Sequence, residues 1–341
     1  MSASLGMSAK PTSWADRNWA QRSLIWPLEA AALALVLALL AVLPRRAAVK
    51  ASGALAAFIG PRLSRQHSRA MRRNLTIAFP DLAQLDRIAL TKEIWRHFGR
   101  VLSTALHIPS IFRQPDLRGV VDVEGAEHLA RAAHGGRFLL VGAHLGHWEL
   151  SAAYVAAAGH RLSCLYTPES NPWIDRLVRY LRQRGAPNLN LIARGPHAVR
   201  TMIESLREGG ALFIIVDQRV DDGEWLPYFG RLAQTTTAPA RLARRFNCPI
   251  LLSRAILLPK DRYRVTFYEP LHPDLSRNAD TDVTAITRTL NETFETWIRE
   301  YPAQWLCMKR RWPKHTSRQP EPISVDTVTQ SVRTEIPAIT D

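Results

Sequence analysis

Apolar residues in this chain follow three different patterns. The first is an unbroken run, Ala30 to Leu43, fourteen residues without a charge. Extended back to Leu24 it reaches twenty residues and takes in Pro27 and Glu29. About twenty apolar residues suffice to cross a hydrocarbon layer, so a membrane anchor helix is expected over 21–46, with a buried core helix as the alternative. The second pattern, over 47–118, is helical. Apolar residues recur at helical spacing in Ala70–Phe79, and again at Ile88, Leu90, Ile94, Trp95, Phe98, Val101 and Leu102. Pro80-Asp81 breaks the two stretches, and Asp81 can cap the second of them.

From about Val120 short apolar runs alternate with helical segments. The strand-like runs are Phe138–Val141, Leu162–Tyr166, Leu189–Ile192, Leu212–Val216, Ile250–Ala255 and Tyr263–Tyr268. Between the first five lie helical segments over Trp148–Ala158, Trp173–Arg184, His197–Arg207 and Thr237–Phe246, and a last helix is expected over Thr284–Glu300. Such alternation predicts an α/β core over 119–316, a mostly parallel sheet covered by helices. The ends, 1–20 and 317–341, are polar and aperiodic, so a disordered N-terminus and a flexible tail are expected.

Charge sharpens the reading of the apolar run. The 341 residues carry a formal net charge of +15, which calls for an anionic partner. Eight basic residues (Arg45, Arg46, Lys50, Arg62, Arg65, Arg69, Arg72 and Arg73) come directly after the run, with no acid before Asp81. An apolar helix followed by a basic cluster predicts a membrane anchor with the rest of the chain on the cytoplasmic side, against anionic lipids. Leu43-Pro44-Arg45-Arg46 is a poor signal-peptidase site. Neither zinc-finger spacing nor an RNA-binding aromatic signature is present, so nucleic acid is not expected as the partner. Cys164, Cys248 and Cys307 are few and far apart, which argues against a disulfide framework or a zinc site.

Open parallel sheets gather their chemistry at the carboxyl ends of the strands. After the first strand comes Gly142-Ala143-His144-Leu145-Gly146-His147-Trp148-Glu149. A carboxylate on one imidazole nitrogen fixes the tautomer and leaves the other nitrogen free to take a proton from a hydroxyl. His144 and Glu149 are therefore the candidate catalytic pair. The spacing alone is unspecific: eleven histidines and thirty acids predict about one chance occurrence, and a helix-start Glu is favoured by the dipole anyway. With no strand–Gly-x-Ser-x-Gly–helix unit, direct attack by the acceptor hydroxyl is favoured over an acyl-serine. His147 raises a metal reading with His144 and Glu149, but no further ligands cluster there, and no metal or cofactor is expected.

Other strand ends supply binding candidates. Arg194 suits an acceptor phosphate, and Asp217 and Gln218 suit a structural or a substrate role. Asn171 suits a ligand or a helix cap. Thr236, within Thr235-Thr236-Thr237, suits a phosphate or a cap. Arg310, beside Arg311, suits a headgroup or phosphate, or solvent.

Several of these segments together resemble the late (secondary) lipid A acyltransferases, the lauroyl/myristoyl transferase family of Gram-negative bacteria. The resemblance runs through Arg72-Arg73-Asn74-Leu75, Phe79-Pro80, Trp95-Arg96-His97-Phe98-Gly99-Arg100 and Ala143-His144-Leu145-Gly146-His147-Trp148-Glu149-Leu150. It continues through Asn171-Pro172, Val216-Asp217-Gln218, Pro227-Tyr228-Phe229-Gly230, Thr235-Thr236-Thr237-Ala238-Pro239-Ala240, Gln304-Trp305-Leu306 and Arg310-Arg311. About two-thirds of the chain is covered, in order. The resemblance implies a glycerolipid-acyltransferase-like fold and an acyl-carrier-protein thioester as donor. It also implies a Kdo-bearing lipid A precursor as acceptor, no metal, and a site on the cytoplasmic face of the inner membrane. In two places the chain departs from the family pattern: Leu145-Gly146-His147 replaces the usual aromatic-and-Asn pair, and Arg219, Asp221, Asp222 and Glu224 come after Asp217-Gln218. Transfer to another lipid, such as a lysophospholipid, ornithine lipid or glycolipid, is the alternative activity. A non-catalytic basic membrane adaptor is the alternative of another class.

Overall fold

The computed structural model describes residues 21–113, 117–186 and 188–313. The expected disordered N-terminus and flexible tail lie outside the described residues. Four helices come first: α1 (Trp26–Ala41), α2 (Arg45–Leu63), α3 (Arg65–Ala78) and α4 (Gln84–Phe112). Small residues let α2 and α4 approach closely. A Cβ on Gly60 would come within 2.4 Å of the Trp95 ring, and one on Gly99 within 2.2 Å of the Ser52 carbonyl oxygen. Only glycine tolerates either contact, which explains why two residues unfavourable to helices sit inside them. By length and composition, the helix over Arg22–Ala41 can cross a membrane.

The α/β body comes next as β1 (Val121–Glu124), α5 (Ala126–Ala133), β2 (Leu139–Gly142), α6 (Trp148–Ala157), β3 (Leu162–Tyr166), α7 (Pro172–Gly185), β4 (Leu189–Ala193), α8 (Ala198–Arg207), β5 (Ala211–Ile215), β6 (Glu224–Tyr228), β7 (Arg231–Thr235), α9 (Ala238–Phe246), β8 (Ile250–Leu258), β9 (Arg262–Phe267) and α10 (Ala279–Glu300). Seven strands form one sheet in the order β1-β9-β8-β2-β5-β3-β4. Every pairing in it is parallel except β8 with β9. Strand β2 sits at the centre, and Leu139, Leu140 and Val141 are wholly buried, as expected for a parallel strand covered on both faces.

The six strands expected from apolar runs are present, as are the helices between them. Strand β1, helix α5 and the antiparallel hairpin β6–β7 add to that reading. The hairpin reads poorly in sequence because Pro227 interrupts it and charged residues flank it, and it pairs only with itself.

Candidate functional site

The pairing of β2 with β5 builds the centre of the site. Gly142 lies opposite Ile215 in parallel register, and the same register carried two residues on brings His144 opposite Asp217. The bonds result from that placement. The His144 Nδ1 stands 2.6 Å from Asp217 Oδ1, and the His144 backbone N–H donates to the same oxygen at 3.0 Å. The indole N–H of Trp305 donates to the other oxygen, Oδ2, at 3.0 Å. The amide nitrogen of Gln218 approaches His144 Nε2 at 3.3 Å. An amide donor at Nε2 and a carboxylate at Nδ1 select the tautomer with the proton on Nδ1 and a lone pair on Nε2. The His144 side chain is 24% exposed and that of Asp217 only 2%, so the imidazole is open to solvent and its partner is not. Burial alone would raise the Asp217 pKa. The attraction of His144 and the hydrogen bonds from His144 and Trp305 outweigh it and hold the carboxyl below its ordinary range.

Glu149 sits in the first turn of α6, and the partner the structure gives it is Arg182 on α7. Arg182 Nε donates to Glu149 Oε1 at 2.8 Å. Burial pushes the Glu149 pKa up, but the guanidinium overrides it and the net shift is downward. The pair lines an apolar cavity with Ile108, Trp148, Leu181 and Phe213, and the edge of the Trp148 ring meets the His144 ring at 5.0 Å between centroids. The carboxylate on the imidazole is thus Asp217, where the sequence pointed to Glu149. The signal that could have found it was Asp217's own place just after the apolar run Leu212–Val216.

Sequence-distant segments brace the loop that carries His144. Leu306 N–H donates to the His144 carbonyl at 2.7 Å, Gly146 N–H to the Gln304 carbonyl at 3.0 Å, and His147 N–H to the Ala255 carbonyl at 2.7 Å. Gly146 has φ +61° and lies so close to Ala255 that a Cβ would fall 1.9 Å from its carbonyl oxygen. Glycine is required there both for the turn and for the approach. His147 turns away from the cleft and meets the Tyr263 ring edge-on. The segment after Trp305 is clasped in turn by Asn74, whose amide donates to the Cys307 and Lys309 carbonyls at 2.9 and 2.7 Å while its oxygen accepts from Arg311 N–H at 3.1 Å. His97 Nε2 stands 3.0 Å from the Gly146 carbonyl. Residues of the N-terminal helices therefore support the His144 loop from behind.

The other candidates fall in several places. Gln218 is on His144. Arg194 comes just after the edge strand β4, three strands from β2, and its buried Nε has no protein hydrogen-bond partner among the described residues. Asn171 caps α7 through Trp173 N–H and Ile174 N–H, and its amide donates to the Trp26 carbonyl at 2.9 Å and Glu29 Oε2 at 3.1 Å. Thr236 accepts from Ala238 N–H at the start of α9. Arg310 is half-buried, whereas its neighbour Arg311 is buried, donates to the Gln234 carbonyl and the Thr235 hydroxyl, and lies 4.6 Å from the Tyr228 ring centroid.

Two imidazoles behind the site are expected to make the fold acid-sensitive. Burial pushes both His97 and His147 down to about 4. Between that value and the ordinary histidine pKa of about 6.5 the unfolded chain binds more protons than the folded one, so stability falls as pH falls. From pH 7 to pH 5 the expected loss is roughly 2 kcal/mol for each imidazole. Denaturant titrations at the two pH values check this, and His97→Gln should flatten the dependence by about half.

Residues 20–314 match the family described as bacterial lipid A biosynthesis acyltransferase. A lipid A biosynthesis acyltransferase of Haemophilus influenzae is 24% identical over 79% of this chain and 83% of its own length. A lipid A biosynthesis lauroyltransferase of Escherichia coli is 26% identical over 74% of this chain and 80% of its own. Among solved structures, the 1-acyl-sn-glycerophosphate acyltransferase PlsC of Thermotoga maritima aligns with 70% of this chain and 98% of its own at 17% identity and a TM-score of 0.34. With a matched region that takes in the apolar helix α1, the helices after it and every strand of the body, this chain belongs to the bacterial lipid A biosynthesis acyltransferase family.

Proposed function

We propose that this acyltransferase moves a fatty acyl chain from an acyl-carrier-protein thioester to the 3-hydroxyl of an acyl chain in a Kdo-bearing lipid A precursor, on the cytoplasmic face of the inner membrane. The observation that carries the mechanism is the His144 imidazole, held between Asp217 and Gln218 with its Nε2 lone pair toward the cleft. The acceptor hydroxyl displaces the Gln218 amide from Nε2 and gives up its proton there. Its oxygen then attacks the thioester carbonyl carbon. Collapse of the tetrahedral intermediate breaks the C–S bond, and the departing thiolate takes the proton from the imidazolium. Asp217 keeps the ring oriented and stabilises its charge.

Glu149 and Arg182 serve the same reaction from the other flank. Glu149 holds the guanidinium against the apolar cavity, which at about 30 Å³ would have to widen to admit a fatty acyl chain. The role given to Arg182 in this reading is to stabilise charge on the thioester oxygen with the nitrogens that Glu149 does not hold. Arg194 suits an acceptor phosphate through its unpartnered Nε. Gln218 is a positioning donor for His144. Thr236 and Arg310 remain candidates for acceptor contacts, whereas the Asn171 amide is already taken up by Trp26, Glu29 and the α7 cap.

The test is a reconstituted assay. Purified enzyme is offered acyl-carrier-protein and coenzyme A thioesters as donors. The acceptors are a Kdo-bearing lipid A precursor, its dephosphorylated form and lysophospholipids. Transfer from the carrier-protein donor to the phosphorylated precursor is expected to be fastest. Preferred transfer to lysophospholipid would replace the acceptor assignment, and preference for coenzyme A would replace the donor.

A further inference from the structure

The apolar helix α1 has two faces. Trp26, Leu37 and Leu40 are buried, and Ala30 and Leu33 between them are half-buried. These positions lie at i, i+4, i+7, i+11 and i+14, one stripe of a helix, and the helix packs against α4 and α7. On its other sides Leu24, Ile25, Leu28, Leu35, Leu39 and Val42 stand 49–80% exposed.

Both ends of α1 are tied to the catalytic body. At its N-terminal end the Asn171 amide grips the Trp26 carbonyl and the Glu29 carboxylate. At its C-terminal end the chain turns at once into α2, where the Arg45 guanidinium donates to the Asp261 carbonyl at 2.7 Å. A helix standing upright across a bilayer can touch a body on one side of the membrane at one end only. Holding both ends brings α7 to the same depth as α1.

Helix α7 is not built for a hydrocarbon interior. Its exposed residues include Trp173, Arg176, Arg179, Tyr180 and Arg184. Arg176 lies over the Trp173 ring at 5.4 Å and Arg184 over the Tyr180 ring at 5.7 Å. Trp, Tyr and Arg mixed on one helix face suit the headgroup layer, where aromatic rings and guanidinium groups both find partners, whereas exposed arginines at the bilayer centre are costly.

We propose that α1 and α7 form one docking face that enters a single leaflet, α1 lying in the membrane plane with its exposed apolar side among the acyl chains and α7 beside it with its arginines on anionic phospholipid headgroups. Asn171 is then the pin that sets the depth of α1 relative to α7. Because α7 also carries Arg182, the same contact fixes the height of the candidate site above the lipid. The side of the membrane rests on the proposed function. The single-leaflet docking does not.

Full-length protein tagged at both ends tests the two separately. Protease is added to spheroplasts and to inside-out vesicles. Both tags should be lost in inside-out vesicles and both protected in spheroplasts. Loss of the N-terminal tag alone in spheroplasts means that α1 crosses, and overturns the proposal. Loss of both tags in spheroplasts leaves the docking standing and overturns the cytoplasmic placement. A second arm uses Arg176→Glu/Arg184→Glu, assayed for binding to phosphatidylglycerol vesicles and to pure phosphatidylcholine vesicles. Binding to the anionic vesicles should fall roughly 10- to 100-fold, with binding to the neutral ones and transfer in detergent unchanged. Anionic binding equal to wild type removes α7 from the docking face.

Discussion

Asp217→Asn is expected to lower kcat for acyl transfer by about 10²- to 10⁴-fold while the KM values of donor and acceptor stay close to wild type. The shape of the side chain survives, and the Trp305 indole retains an acceptor. The change falls on the atom facing Nδ1. An amide that presents its NH₂ there loses the bond from the His144 backbone N–H, moves the imidazole proton to Nε2 and blocks the nitrogen that must accept the hydroxyl proton. An amide also cannot stabilise the imidazolium as a carboxylate does. His144→Ala should abolish transfer altogether. Trp305→Phe keeps the stacking on Phe229, whose ring centroid lies 6.1 Å away, and removes only the N–H donor, so a loss of about tenfold in kcat is expected from one weakened hydrogen bond to a charged group. Because the Asp217 carboxyl is already held below its usual range, it stays ionised wherever an imidazole titrates. Steady-state kinetics on folded variants, checked by circular dichroism, decides the matter. A wild-type kcat in Asp217→Asn would remove Asp217 from the mechanism and return the orienting role to Glu149.

The second large effect belongs to Glu149 and Arg182. Glu149→Ala is expected to cost about 10²- to 10⁴-fold in rate, the scale of a catalytic carboxylate, and Arg182→Ala a comparable factor. If Glu149 acts by holding Arg182, the double variant should be little worse than either single one, because residues working as a unit are strongly non-additive. If Glu149 instead acted directly on His144, Arg182→Ala would keep most of the activity and the two losses would multiply. Stability offers an independent readout. Each side chain in the pair is only 21% exposed, so removing one partner strands a partly buried charge and should destabilise the fold by about 2–4 kcal/mol. Glu149→Gln/Arg182→Gln, which removes both charges, should recover part of that loss without recovering activity. Full additivity in rate would sink the idea that the two act together.

Several features of this protein can be read from residue order alone. Local periodicity marked the helical segment over 47–118, the central strands and the helices between them, since burial on one or two faces imposes spacings of 3.6 and 2 that no distant residue can alter. The motif around His144 marked the loop after the central strand, and a charge-free run marked a helix long and apolar enough to cross a membrane. Which strands lie side by side is another matter. Chain order places β3 after β2, yet β5 is the strand that pairs with β2 on this edge of the sheet. That one choice puts Asp217, 73 residues away, on the imidazole, while α6 turns Glu149 toward Arg182. A carboxylate five residues along the chain is near in sequence, but the first turn of a helix decides where it points. The same holds for Asn74, His97 and Trp305, whose bonds to the His144 loop, its brace and Asp217 span 49 to 237 residues. Hydrogen bonds between segments so far apart depend on the packing of the whole sheet and its covering helices, and they leave no spacing in the sequence to be read.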